Sequence, residues 1–166
     1  MRVIWVFSPL IANFSLFQTK NFSVWPQLSM ALRRTADEAE SAAAGFKTFR
    51  APLPEHFTEI TALISDLYAI SSSLLSLDDL SKDPRYRLSW PHVHLDVELV
   101  QSSLKYTVED ILHYLQRVQT QASSDAYSRT WQSMNRFFWD QSQFSLATRL
   151  ARYRTFIREL NEVLRV

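Results

Sequence analysis

The chain contains a single glycine, Gly45, in 166 residues. Hairpin turns, phosphate-binding loops and nucleophile elbows draw on backbone conformations that glycine adopts at least cost. Ordinary usage is about 7% glycine. A chain this poor in it is best assembled from long helices with few tight turns, so the expected class is all-α. The same count removes G-x-S-x-G, the P-loop and the dinucleotide fingerprint, each of which needs more than one glycine. Cysteine is absent. That excludes disulfides, thiolate metal sites and cysteine nucleophiles, and it fits a reducing compartment, so the expected location is cytoplasmic.

Apolar spacing supports the helical reading. Leu28, Leu32, Ala36, Ala39, Ala43 and Phe46 recur at helical steps, predicting a first helix over Leu28 to Phe49 that Pro52 stops. Thr35-Ala36-Asp37-Glu38 has capping-box spacing, which allows a later start. Pro54 suits the first turn of a second helix carrying Phe57, Ile60, Ile64, Leu67, Leu74 and Leu77, with Ser71 as a break and Asp78-Asp79 and Lys82-Asp83-Pro84 marking the end. Arg85 to Trp90 reads as a loop. The third helix is the most regular, with Val93, Val97, Val100, Leu104, Val108, Ile111, Leu115 and Val118 on one stripe. Leu95, Leu99, Tyr106 and Leu112 widen that face, as for a central helix with several neighbours. A fourth helix aligns Tyr127, Trp131, Met134 and Phe138. A fifth, from about Ser145, aligns Leu146, Leu150, Tyr153, Ile157, Leu160 and Leu164. Four to five such helices joined by short polar links predict an antiparallel bundle over residues 28–166, with the third and fifth helices as its spine. That last stripe is still running at Val166, so either the helix simply ends the protein or the chain is a piece of a longer one.

Residues 1–27 read differently. Val3-Ile4-Trp5-Val6-Phe7 is apolar, Pro9 interrupts it and Leu10-Ile11-Ala12 resumes. The run falls short of the ~18 residues that span a bilayer. No small-x-small cleavage site follows Arg2 and the apolar stretch, although a signal segment and a secretory route remain an alternative. Asn13-Phe14-Ser15 and Asn21-Phe22-Ser23 match the glycosylation sequon. The simplest expectation is a poorly structured leader or a misplaced translation start.

The stretch His92-Val93-His94-Leu95-Asp96 resembles the metal-binding loop of metallo-β-lactamase-type hydrolases. The resemblance ends there, because Val97 stands where a histidine would follow and glycine-rich sheet scaffolding is missing. On a helix His92 and His94 would point ~200° apart and share no ion. A helix start, with Asp96 near the positive end of the dipole, is the simpler reading. The acid pairs Asp78-Asp79 and Glu109-Asp110 point ~100° apart on a helix and enclose no substrate. No catalytic, cofactor or metal residue is therefore assigned, and a non-catalytic domain is expected. A net charge of +1 gives no global field for nucleic acid.

Two features suit binding. Phe137-Phe138-Trp139 sweeps too wide an arc for one buried stripe, and Trp139 shares its line with Gln132, Asn135 and Arg136. Either Trp139 anchors an interface, or the chain turns at Asp140 to Ser145 and Phe144 folds back over it. Arg154, Arg158 and Arg165 form a basic ridge that would meet an acidic partner or lipid headgroups, or pair with Glu98, Glu109 or Asp110.

From about Arg33 onward the chain resembles helical N-terminal regions of filamentous-fungal proteins of the STAND or NLR-like type. The resemblance rests on residues 63–70 (LISDLYAI), 99–107 (LVQSSLKYT) and 153–160 (YRTFIREL). It implies an interaction or signalling module with protein partners or self-association. The alternative is a membrane-active helical effector related to fungal cell-death domains, with Val3 to Phe17 contacting the membrane.

Overall fold

A computed structural model describes residues 25–86, 88–119 and 123–165. The apolar segment Val3 to Phe17 and both sequons lie outside the described residues. Within them the chain forms five α-helices and no strand: α1 (Trp25–Lys47), α2 (Phe57–Lys82), α3 (His94–Gln119), α4 (Ser124–Ser142) and α5 (Leu146–Arg165). Short 3-10 turns at Pro54–His56, Pro84–Tyr86 and Trp90–His92 carry the connections. The all-α bundle expected from one glycine is what forms.

Helix boundaries follow local chemistry. α1 starts three residues before Leu28, with Pro26 in its first turn, where a missing N–H costs nothing. Thr35 is not a start. It sits buried in mid-helix and accepts a hydrogen bond from Gln101 Nε2 at 3.0 Å. α4 is capped by Ser123, whose Oγ accepts from the Ala126 N–H, and it ends at Gln143, left-handed at φ 58°. Ser145 Oγ accepts from the Thr148 N–H at 3.1 Å at the entry to α5.

Cross-helix contacts fix the directions. Ser29 meets Asp78 and Glu40 meets Ser71, so α1 and α2 are antiparallel. Gln101 meets Thr35 and Leu115 lies over Gly45, so α3 runs with α1. Arg154 meets Asp66, Asn161 meets the Ser73 carbonyl and Arg165 meets Ser76, so α5 runs with α2 and against α3. A β-carbon at Gly45 would lie 2.6 Å from Leu115 Cδ1, so the glycine serves close approach of α1 and α3.

The spine differs from the one expected. The densest packing is between α1 and α2, with α5 along the other side of α2 and α3 against α1. Small buried side chains at Ala36, Ala39, Ala42 and Ala43 let α1 approach its neighbours closely. α2 ends at Lys82, where Lys82-Asp83-Pro84 is expected to stop it, but Asp78 in its last turns is not a solvent-facing acid. It is fully buried, accepts from Ser29 Oγ at 2.5 Å, and pairs with Arg33 at 2.5 Å and Lys82 at 2.6 Å. Ser71, the apparent break in the stripe, is buried and donates to Glu40 at 2.8 Å.

α4 is short because it does not run the length of the bundle. Its first turns meet the C-terminal end of α1, where Tyr127 packs edge-on against Phe49 at 4.9 Å and Trp131 against Phe46 at 6.3 Å. Its last turn leads through three residues to the start of α5, which lies level with the start of α2. Both ends of α4 therefore lie at one end of the bundle. Trp131 and His56, with ring centroids 5.3 Å apart, close that end.

Candidate functional site

Of the two binding features read from the sequence, the basic ridge is drawn into the fold. Arg154 Nη1 donates to Asp66 Oδ1 at 2.5 Å, Arg165 Nη2 donates to Ser76 Oγ at 3.0 Å, and Arg158 lies 3.7 Å from Glu162 of its own helix. The expected partners Glu98, Glu109 and Asp110 are on α3, whereas two of the three arginines face α2. The reason is the parallel α2–α5 packing, which sets polar side chains of the two helices level with each other. Asn161, buried beside the ridge, donates to the carbonyls of Ser73 and Ile157, both at 3.0 Å.

Two buried aspartates tied into helix contacts, Asp66 and Asp78, differ in their environments. Burial raises the Asp66 carboxyl above its ordinary 3.8, and the Arg154 charge only partly offsets that. Burial also acts on Asp78, but hydrogen bonds from Lys82 and Ser29 and the charges of Lys82 and Arg33 outweigh it and hold it below 3.8. The signs therefore oppose. Asp78 contributes stability that is present above about pH 4 and lost as pH falls through its lowered folded pKa. Asp66 contributes stability that is present below about pH 4 and lost as pH rises through its raised one. The melting temperature of Asp66→Asn relative to wild type should become more favourable as pH rises above about 4, and that of Asp78→Asn less favourable as pH rises towards about 4. Parallel slopes would refute the assignment.

The aromatic pair separates. Trp139 stays 51% exposed on α4, and Phe144 does not cover it. Phe144 instead passes the α4–α5 turn, where the Arg152 guanidinium lies 3.9 Å from its ring centroid. There it forms one end of an open groove of about 810 Å³ between α3 and α5. Leu99, Val100 and Ser103 of α3 make one wall. Thr148, Arg152, Phe156 and Glu159 of α5 make much of the other. Ser103 Oγ and Tyr153 Oη, 2.5 Å apart, tie the two walls together at its floor.

The stripes misassign exposed apolar residues in and beside the groove. Leu95, Leu99 and Tyr106 point outward at 62%, 69% and 62% exposure instead of widening a buried face. α3 has several neighbours, as expected, but it packs chiefly on α1 and less on α4 and α5, and no described helix covers these three residues. On α5, Phe156 and Val163 are 41% and 56% exposed and fall outside the buried line Leu146, Leu150, Ile157, Leu160 and Leu164. Seven residues apart, they share one side of α5, opposite Arg154, Arg158 and Arg165. That surplus of apolar residues out of register was the available sequence signal.

The string His92 to Asp96 straddles a boundary. His92 closes a 3-10 turn and His94 opens α3 with Nδ1 3.0 Å from the Pro91 carbonyl oxygen. Among the described residues no three histidine, aspartate or glutamate side chains converge on one point. α2 with its preceding turn is the one described helix long and apolar enough to cross a bilayer, and half of that stretch is buried inside the bundle. No protein-family model, curated protein or solved structure matches this chain, so its function is read from these helices and the groove between them.

Proposed function

We propose that this domain is a helical protein-interaction module whose working surface is the groove between α3 and α5. One observation carries the reading. Leu99, Phe144 and Phe156 expose their side chains along a single trough, and Leu95 and Val163 are exposed beyond its lining on the same two helices, while the remaining stripes of both helices are packed into the core. Clustered apolar exposure of this kind marks an interaction site more often than scattered single residues do. Aromatic side chains at the centre of such a patch supply most of the binding energy in protein interfaces. The resemblance to helical N-terminal regions of STAND or NLR-like proteins points the same way.

The test uses a photo-crosslinking residue, benzoylphenylalanine, placed at Leu99 or Phe156 in the native host, with exposed Asp37 on α1 as control. Both groove positions should yield the same discrete protein adducts and Asp37 none of them. Groove positions that crosslink no more than Asp37 would end the proposal. Leu99→Asp, on an exposed side chain, should leave the melting temperature within about 2 °C of wild type, in keeping with the small effects of surface substitutions.

A further inference from the structure

We infer that the groove receives an amphipathic helix from a partner protein in one orientation, parallel to α3, with a basic N-terminal half and an acidic C-terminal half. The inference rests on the interaction reading above and adds the chemistry of the occupant. Its first support is shape. Both walls are helices, the trough is open along its length, and no strand edge is offered among the described residues. From Thr148 to Glu159 the α5 wall extends ~16 Å at the helical rise, about three turns of a docked helix. A third helix laid there would complete the packing that α3 and α5 begin, by setting its side chains between theirs. A small-molecule site would enclose its ligand, whereas this trough lies open to solvent.

The second support is charge. Arg149 and Arg152 flank Phe144 at the α4–α5 end. At the other end Glu159 is joined by Asp96. Asp96 lies on α3 between the directions of Ser103 and Val100, seven residues below the level at which Ser103 meets Tyr153. Since α3 and α5 are antiparallel, Asp96 and Glu159 are nearly level. None of these four charges has an ionic partner among the described residues. Arg149 leans on the Phe138 ring and donates to Gln141 Oε1 at 3.0 Å, and Arg152 leans on Phe144. The groove is therefore positive where α5 begins and negative where α3 begins. A docked helix is itself polar, with a partial positive charge at its N-terminus and a negative one at its C-terminus. Alignment with α3 sets its N-terminus against Asp96 and Glu159 and its C-terminus against Arg149 and Arg152. The opposite orientation opposes both pairs, and repulsive arrangements of this kind set specificity more than affinity.

The experiment titrates three fluorescein-labelled 16-residue peptides against the full chain at low salt, followed by fluorescence anisotropy. All are helix-favouring. The first carries leucines at helical spacing with lysines in its first half and glutamates in its second. The second has the charges exchanged, and the third has the leucines replaced by serines. The first should bind at least tenfold more tightly than the second, the advantage should shrink as salt screens it, and the third should not bind. In the double variant Asp96→Lys and Arg152→Glu the preference should vanish, because each end then carries one charge of either sign. Leu99→Asp and Phe156→Asp should each abolish binding with melting curves unchanged. Equal binding of the first two peptides, or binding that survives Leu99→Asp, overturns the inference. So does a dimer in sedimentation, or binding to vesicles of zwitterionic and anionic lipid, that Leu99→Asp abolishes, because a second copy or a lipid surface is then the occupant. A dimer or failed peptides beside groove-specific crosslinks would leave the interaction reading standing.

Discussion

Substituting Leu150 by aspartate is expected to abolish cooperative unfolding of the domain. Leu150 has no exposed surface and lies in the continuous core that joins all five helices. An aspartate there loses the apolar burial, about 2 to 5 kcal/mol for shortening a buried leucine. It also leaves a carboxyl group without hydrogen-bond partners, for several kcal/mol more. A domain of this size has about 5 to 15 kcal/mol in total. The two losses together exhaust most of that margin. Leu115→Asp should behave alike, because Leu115 is buried where α3 crosses Gly45. Far-UV circular dichroism against temperature reads the outcome. The same substitution at Leu99, four turns away on α3, should be nearly silent, so the contrast separates core from groove on a single helix. A wild-type melting curve for Leu150→Asp would mean that the buried stripe of α5 is misassigned.

The second large effect is expected at Trp131. Its indole is buried between Phe46, Phe49 and His56 and is the main tie between α4 and the end of the bundle. Trp131→Ala should cost about 3 to 5 kcal/mol, the range for truncating a buried aromatic, which lowers the melting temperature by roughly 6 to 20 °C. Because α4 packs on its neighbours less extensively than α1 or α2 do, the loss should appear first as faster amide exchange in residues 124–142, with α1 and α2 still protected. Uniformly faster exchange throughout the chain would show that α4 is not a separable layer.

The sequence made the helices legible because burial repeats at the helical period. Every residue of the stripe from Val93 to Val118 is buried. Periodicity reports that a face is apolar, however, and not whether another helix covers it. Leu95, Leu99 and Tyr106 widen the stripe of α3 just as core residues would, and only the packing of α3 on α1 leaves them outside. Phe144 shows the same limit at a turn. Its neighbourhood is decided by the left-handed Gln143 and the entry into α5, and the chain carries it away from Trp139. Charges were harder still. The ridge Arg154, Arg158 and Arg165 is plain on a helical wheel, yet its partner Asp66 is 88 residues away, and nothing local selects α2 over α3. Asp78 shows a related limit: an acid near the end of an apolar run reads as solvated or terminal, and nothing local shows that Ser29, Arg33 and Lys82 gather around it.

The parallel docking of α5 on α2 bears on how the chain emerges from the ribosome. α2 is the most membrane-like stretch described, and α1, already made, covers only one of its sides. The other side waits for α5, the last of the five helices in chain order. At roughly 5 to 20 residues per second, that interval is on the order of 10 s. Throughout it, Leu67, Ile70, Leu74 and Leu77 belong to a helical hairpin with an unshielded apolar flank. The nascent chain is then at its stickiest, and factors that bind exposed hydrophobic helices have their best opportunity to capture it.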